Sequence, residues 1–89
     1  MQNLWKLVSS PRHLLVFEAA ARTGSFTRAA RELNVQQPAV SAAIKQLESS
    51  LGVQLFIRAH RAVTLTHAGE RLYNDVFAAF ERIHQTARM

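Results

Sequence analysis

Eighty-nine residues with 48% hydrophobic side chains can build one small core, but leave little for an enclosed substrate cavity besides; a reader or adaptor is expected, not an enzyme. There is no cysteine, hence no disulfide framework and no thiolate metal site, and no segment nears transmembrane length, so the chain reads as soluble with the cytoplasm as its default compartment. A formal net charge of +5 and a pI near 11.2 point to a polyanion, either nucleic acid or an anionic membrane.

Residues 1–10 lack sustained periodicity and read as a leader whose Leu4, Trp5, Leu7 and Val8 can pack on the domain. Ser10 before Pro11 is a helix start, an N-cap followed by proline at the first position. Leu14, Phe17, Ala20 and Ala21 then share an apolar face, and Thr23-Gly24 ends the helix. Ser25 caps a short helix over 26–33, in which Ala29 and Ala30 permit close approach and Leu33 closes against the core. Asn34 suits a left-handed turn. Pro38 sits in the first turn of the next helix, where Val40, Ile44 and Leu47 recur at i, i+4, i+7 as a buried stripe. Two short helices across a tight corner form the arrangement that proteins commonly use to read DNA.

Leu51-Gly52 stops that helix. Leu55 and Ile57 alternate before a basic turn, Arg58 to Arg61, and Val63 and Leu65 alternate after it, predicting a two-stranded wing with Arg58, His60 and Arg61 at its tip. Thr66 caps a last helix of about twenty residues. It carries two apolar stripes, Leu72, Val76, Ala79 and Ile83, and beside them Tyr73, Phe77, Phe80 and His84. A small domain covers one stripe, so the surplus predicts a partner helix, most simply from an identical subunit, with Leu72, Tyr73, Val76, Phe77, Phe80 and Ile83 as dimer residues. The fold class is therefore mainly α, a winged helix-turn-helix with a two-stranded wing and a long C-terminal linker helix. Its expected parts are a leader (1–10), a DNA-binding domain (11–65) and a linker or dimerisation helix (66–89).

Positive charge collects around the helix pair and the wing: Arg22, Arg28, Arg31, Lys45, Arg58 and Arg61, opposed there by Glu32 and Glu48. Within this order of parts, FEAAARTGSFTRAARELNV, QPAVSAAIKQLESSLGVQLF and the run R-x-x-R-x-V-x-L-T-x-A-G from Arg58 to Gly69 resemble the N-terminal domain of the LysR-type bacterial transcriptional regulators over almost all of the chain from Arg12 onward. The resemblance implies sequence-specific binding to double-stranded DNA, with the recognition helix (37–48) in the major groove and the wing (58–61) in the minor groove. It implies a homodimer through the last helix, possible tetramers in full-length proteins, and an effector-binding domain that this chain lacks.

Gln37, Pro38 and Ser41 match positions that face the bases in that family, and Arg61 matches the wing arginine of the minor groove. The helix geometry agrees, since positions 38, 41, 42 and 45 share one face, which adds Ala42 and Lys45 to the base-facing set. Glutamine can pair with adenine, serine can donate or accept, and proline or alanine can touch a thymine methyl. Ser25, Thr27 and Arg28, at a helix start, are expected to clamp phosphates, as are Gln36, Arg58 and His60. Two residues depart from the family pattern. Ala42 stands where arginine is usual and removes a guanine or phosphate contact, and Gln36 replaces the usual threonine or serine, a better N-cap.

Plainer readings stand beside these. Basic turns are often only solvated, and Arg58 has an alternative as an ion-pair partner of Glu48. The four histidines are dispersed and show no H-x-x-x-H spacing, so no metal or cofactor is expected. Ser41 and Lys45 stand at i, i+4, but no oxyanion donor or pocket accompanies them, so catalysis is not expected. A winged protein-interaction module is the runner-up, opposed by the basic wing. A membrane-surface helix over 67–88 ranks last, because Asp75 and Glu81 interrupt its polar face.

Overall fold

Each helix begins and ends where the capping chemistry dictates. In the computed structural model, which describes residues 10–60 and 62–88, α1 runs Pro11–Thr23, α2 Phe26–Leu33 and α3 Gln37–Leu51. Ser10 Oγ accepts from Arg12 N–H at 3.2 Å and Ser25 Oγ from Arg28 N–H at 3.1 Å, each satisfying a first-turn donor. Gln36 makes no such bond, as its side chain predicts, so α3 relies on Pro38 in its first turn. Left-handed residues stop all three helices: Gly24 (φ 66°), Asn34 (φ 58°) and Gly52 (φ 72°). At the corner between α2 and α3, Ala30 C=O accepts from the N–H groups of Asn34 and Val35.

α1, α2 and α3 pack against one another around Phe17, Ala20, Ala29, Val40, Ile44 and Leu47, all fully buried. Alanine at 29 and 30 is what lets the helices approach closely. On α1 the buried face is rotated from the expected one. Val16 and Ala19 are buried with Phe17 and Ala20, while Leu14 and Ala21 are half-buried at its margin.

β1 (Phe56–Ala59) and β2 (Ala62–Leu65) pair antiparallel, with Phe56 opposite Leu65, Arg58 opposite Val63 and Ala59 opposite Ala62. The wing thus exists, but two of its details are corrected. Leu55 precedes the strand, so it and Phe56 are both buried while Ile57, expected inward, is 56% exposed. Strand pairing reaches Ala59, so Arg58 lies within the ladder and not at the tip. Phe56, absent from the expected core, sits 5.6 Å from the Phe17 ring and 5.4 Å, edge-on, from Phe26, tying the wing to α1 and α2.

The base of the wing is fixed by polar bonds. Glu48 accepts from the backbone N–H of Leu55 (2.7 Å) and Phe56 (3.3 Å), so it is not an ion-pair partner for Arg58. Thr66 N–H donates to Leu55 C=O, its hydroxyl donates to Gln54 C=O at 2.7 Å, and the same oxygen caps α4 by accepting from Gly69 N–H at 3.0 Å. α4 (His67–Ala87) packs on α1 and β2. Its inward face takes Leu72, Tyr73, Val76 and Phe80 from both predicted stripes, because the core contact crosses them diagonally. Within the single chain Val76 is 5% exposed and Leu72 half-buried, while Phe77 (47%) and Ile83 (65%) remain open. The expected leader, with Leu4, Trp5, Leu7 and Val8, lies outside the described residues.

Candidate nucleic-acid interface

α3 shows a buried stripe to the core and an opposite, polar face to solvent. On that face Gln37, Pro38, Ala42 and Lys45 are exposed and Ser41 is half-buried. The fold brings the start of α3 beside the start of α2 and the wing: Gln37 lines one depression with Ser25, Phe26, Thr27, Arg58, Ala59, Ala62 and Val63. Four residues expected to contact DNA, distant in sequence, therefore surround one groove. Lys45 lies further along α3, bordering depressions with Ala42 and Ser49 on one side and with Glu48 and Arg58 on the other. Arg28 and Gln36 are exposed near the groove's helix starts and His60 is exposed beyond the ladder, but none of the three lines the groove. Arg61, expected in the minor groove, falls outside the described residues.

Two expected features of the charge map change. Arg22 is bound to Glu18 (2.9 Å) and to Glu32, a chelate that joins α1 to α2 and takes that arginine out of the footprint. Hydrogen bonding to Glu32 and then Glu18 raises the Arg22 pKa further above its already high range, and the bond to Arg22 holds the Glu32 carboxyl below its usual range. Glu48 is turned to the backbone. Among the described residues, Arg28, Arg31, Lys45 and Arg58 make no ion pair, so their charges are available to a polyanion.

Sequence reasoning missed one contact. The Arg58 guanidinium lies over the Phe26 ring, 5.0 Å from its centroid, and donates to Ser41 Oγ at 3.5 Å. The only signal was parity, since Arg58 shares a strand face with Phe56.

Comparison with known proteins decides the family. The model for "Bacterial regulatory helix-turn-helix protein, lysR family" matches residues 11–70. The chain belongs to the LysR family. It is a LysR-type helix-turn-helix DNA-binding domain. Among curated relatives, the HTH-type transcriptional regulator DsdC of Escherichia coli (strain K12) is 47% identical over 83 residues, 93% of this chain and 25% of that protein. The LysR-family chain thus spans about a quarter of the length of the curated relatives it matches. Two solved structures are similar throughout. The DNA-binding domain of BenM in complex with catB site 1 DNA is 37% identical with a TM-score of 0.80, covering 88% of this chain and 87% of that one. The CbnR DNA-binding domain in complex with DNA is 35% identical with a TM-score of 0.77, covering 86% and 88%.

Proposed function

We propose that this LysR-family domain binds double-stranded DNA in a sequence-dependent manner, with α3 in the major groove and the wing toward the adjacent minor groove. The observation that carries this reading is the shared groove, where the exposed start of α3 meets the capped start of α2 and the wing. Gln37, Pro38, Ser41, Ala42 and Lys45 face the bases, and Ser25, Thr27, Arg28, Gln36 and His60 hold the backbone. Arg61 enters the minor groove. The similarity to two domains solved in complex with DNA supports DNA as the partner.

Phe77 and Ile83, open on α4, belong to a homodimer interface that sets two α3 helices on successive major grooves of a partly palindromic site. Residues 11–65 are the reading unit and 66–89 the linker, whose first half also completes the core. The same reading gives the whole regulator an effector-binding domain and a tetrameric assembly, and places it in the bacterial cytoplasm on the nucleoid. Among the described residues no helix is long and apolar enough to cross a membrane.

A salt titration on duplex DNA tests the reading. Phosphate neutralisation predicts that log affinity falls with log salt by about 0.9 for each phosphate contacted. A flat response excludes DNA binding.

A further inference from the structure

Arg58 stands between two depressions on the reading face. One holds Gln37, Ser25 and Thr27, and the other holds Lys45 and Glu48. Its guanidinium stacks over Phe26 at 5.0 Å, and Phe26 is itself buried edge-on against Phe56. From that platform Nη1 reaches Ser41 Oγ at 3.5 Å. The wing, α2 and α3 are thus joined through one side chain at the base-facing surface.

The consequence follows from what a serine hydroxyl can do. It holds one hydrogen to donate and two lone pairs to accept with, and it rotates to suit its partners. Arginine has only donors and stays protonated at every working pH, so its bond to Ser41 occupies a lone pair and never the hydrogen. The Ser41 O–H is then directed away from Arg58, on the polar face of α3. In the major groove, guanine and adenine N7 and thymine O4 accept a hydrogen bond, whereas cytosine presents a donor.

We propose that Arg58 is a positioning residue that biases Ser41 toward hydrogen-bond donation, so that this pair favours bases presenting an acceptor over cytosine at one position of the site. The proposal rests on the reading of α3 as the base-contacting helix. It moves Arg58 from phosphate clamp to specificity determinant. With Arg58 on one lone pair, and its positive charge disfavouring a second donor at the other, Ser41 is biased toward donating; without it, the hydroxyl accepts as readily as it donates.

The test is selection of bound sequences from a random duplex pool, with the 89-residue chain and its variants, each checked for folding by circular dichroism. The wild type should disfavour cytosine at one half-site position by about three- to tenfold, the worth of one hydrogen bond. Arg58→Lys keeps the charge but loses the planar, stacked fork. It should flatten that position to the level of Ser41→Ala, leave the other positions and the salt slope unchanged, and add nothing in the Ser41→Ala background. Phe26→Leu, which removes the platform and keeps apolar volume, should flatten the same position in part. An intact bias against cytosine in both Arg58→Lys and Arg58→Ala overturns the proposal. Uniform loss in Arg58→Ala, with the salt slope reduced by about one, would return Arg58 to the phosphate backbone. If the wild type binds the pool without salt dependence, the DNA-binding reading fails first, a result distinct from either.

Discussion

Replacing Gly69 with alanine sets two physical effects against each other, and the structure says which wins. Gly69 lies in the first turn of α4, where helix propensity alone favours alanine by about 1 kcal/mol. A Cβ at this position, however, would stand 2.1 Å from the Leu55 carbonyl oxygen and 3.0 Å from Leu65 Cδ2. The backbones must separate by about 1 Å to reach ordinary contact. That movement pulls on three bonds at one junction: Thr66 N–H to Leu55 C=O, Thr66 hydroxyl to Gln54 C=O, and Gly69 N–H to Thr66 Oγ1. At about 1 kcal/mol each, their weakening outweighs the propensity gain, and a net loss of about 2 kcal/mol is expected, within the range for overpacking. For a domain of this size the melting temperature should fall by roughly 8–16 °C. Urea denaturation followed by circular dichroism measures it, with a lower midpoint at unchanged slope. Gly52→Ala is the control: its φ is 72° and no atom stands within 4 Å, so only left-handed strain of about 1 kcal/mol is incurred. A Gly69→Ala domain as stable as the wild type would refute the reasoning, since it would mean that α4 and the wing base are not in contact as described.

Four further outcomes are expected. Glu48→Ala should cost about 2 kcal/mol in the same denaturation assay, because two backbone donors at the wing base lose a charged acceptor. Arg22 holds Glu32 ionised below its usual range, so this bond's contribution is complete above the ordinary carboxylate pKa and is lost as pH falls through the lowered one; the stability difference between wild type and Glu32→Gln should therefore shrink on acidification and stay constant at neutral pH and above. Phe77→Asp should shift sedimentation toward monomer while leaving the melting temperature of the monomeric fold nearly unchanged, whereas Val76→Asp should unfold the domain, since Val76 is 5% exposed and Phe77 47%. Gln37→Ala should cost about 1 to 3 kcal/mol on a selected site and relax one base preference; equal loss on random duplex would assign Gln37 to positioning.

The reading helix illustrates how sequence and fold divide the work. Helix limits were legible because the signals are local: Ser10, Ser25 and Thr66 each bond a first-turn N–H within three residues, and Gly24, Asn34 and Gly52 adopt the left-handed backbone that favours glycine or asparagine. The buried stripe Val40, Ile44, Leu47 was legible for the same reason, since helical periodicity alone fixes which face turns inward. The wing was only half legible. Alternation predicts two strands, but a four-residue strand does not reveal its own starting point, and a shift of one residue exchanged Ile57 for Phe56 in the core and moved Arg58 off the tip.

By itself, then, the sequence determined the helix boundaries, the core stripe of α3 and the family motifs, all of which depend on interactions within a turn or two of chain. Tertiary structure decided which charges are free to act. Arg22 is neutralised by a carboxylate ten residues away, Glu48 is consumed by the base of the wing, and Arg58 is carried across the groove to Ser41, seventeen residues back. The two apolar stripes of α4 likewise became one diagonal core face and one open edge only when α1 was packed against them. Such pairings depend on crossing angles and close approach between elements, and no local pattern encodes either.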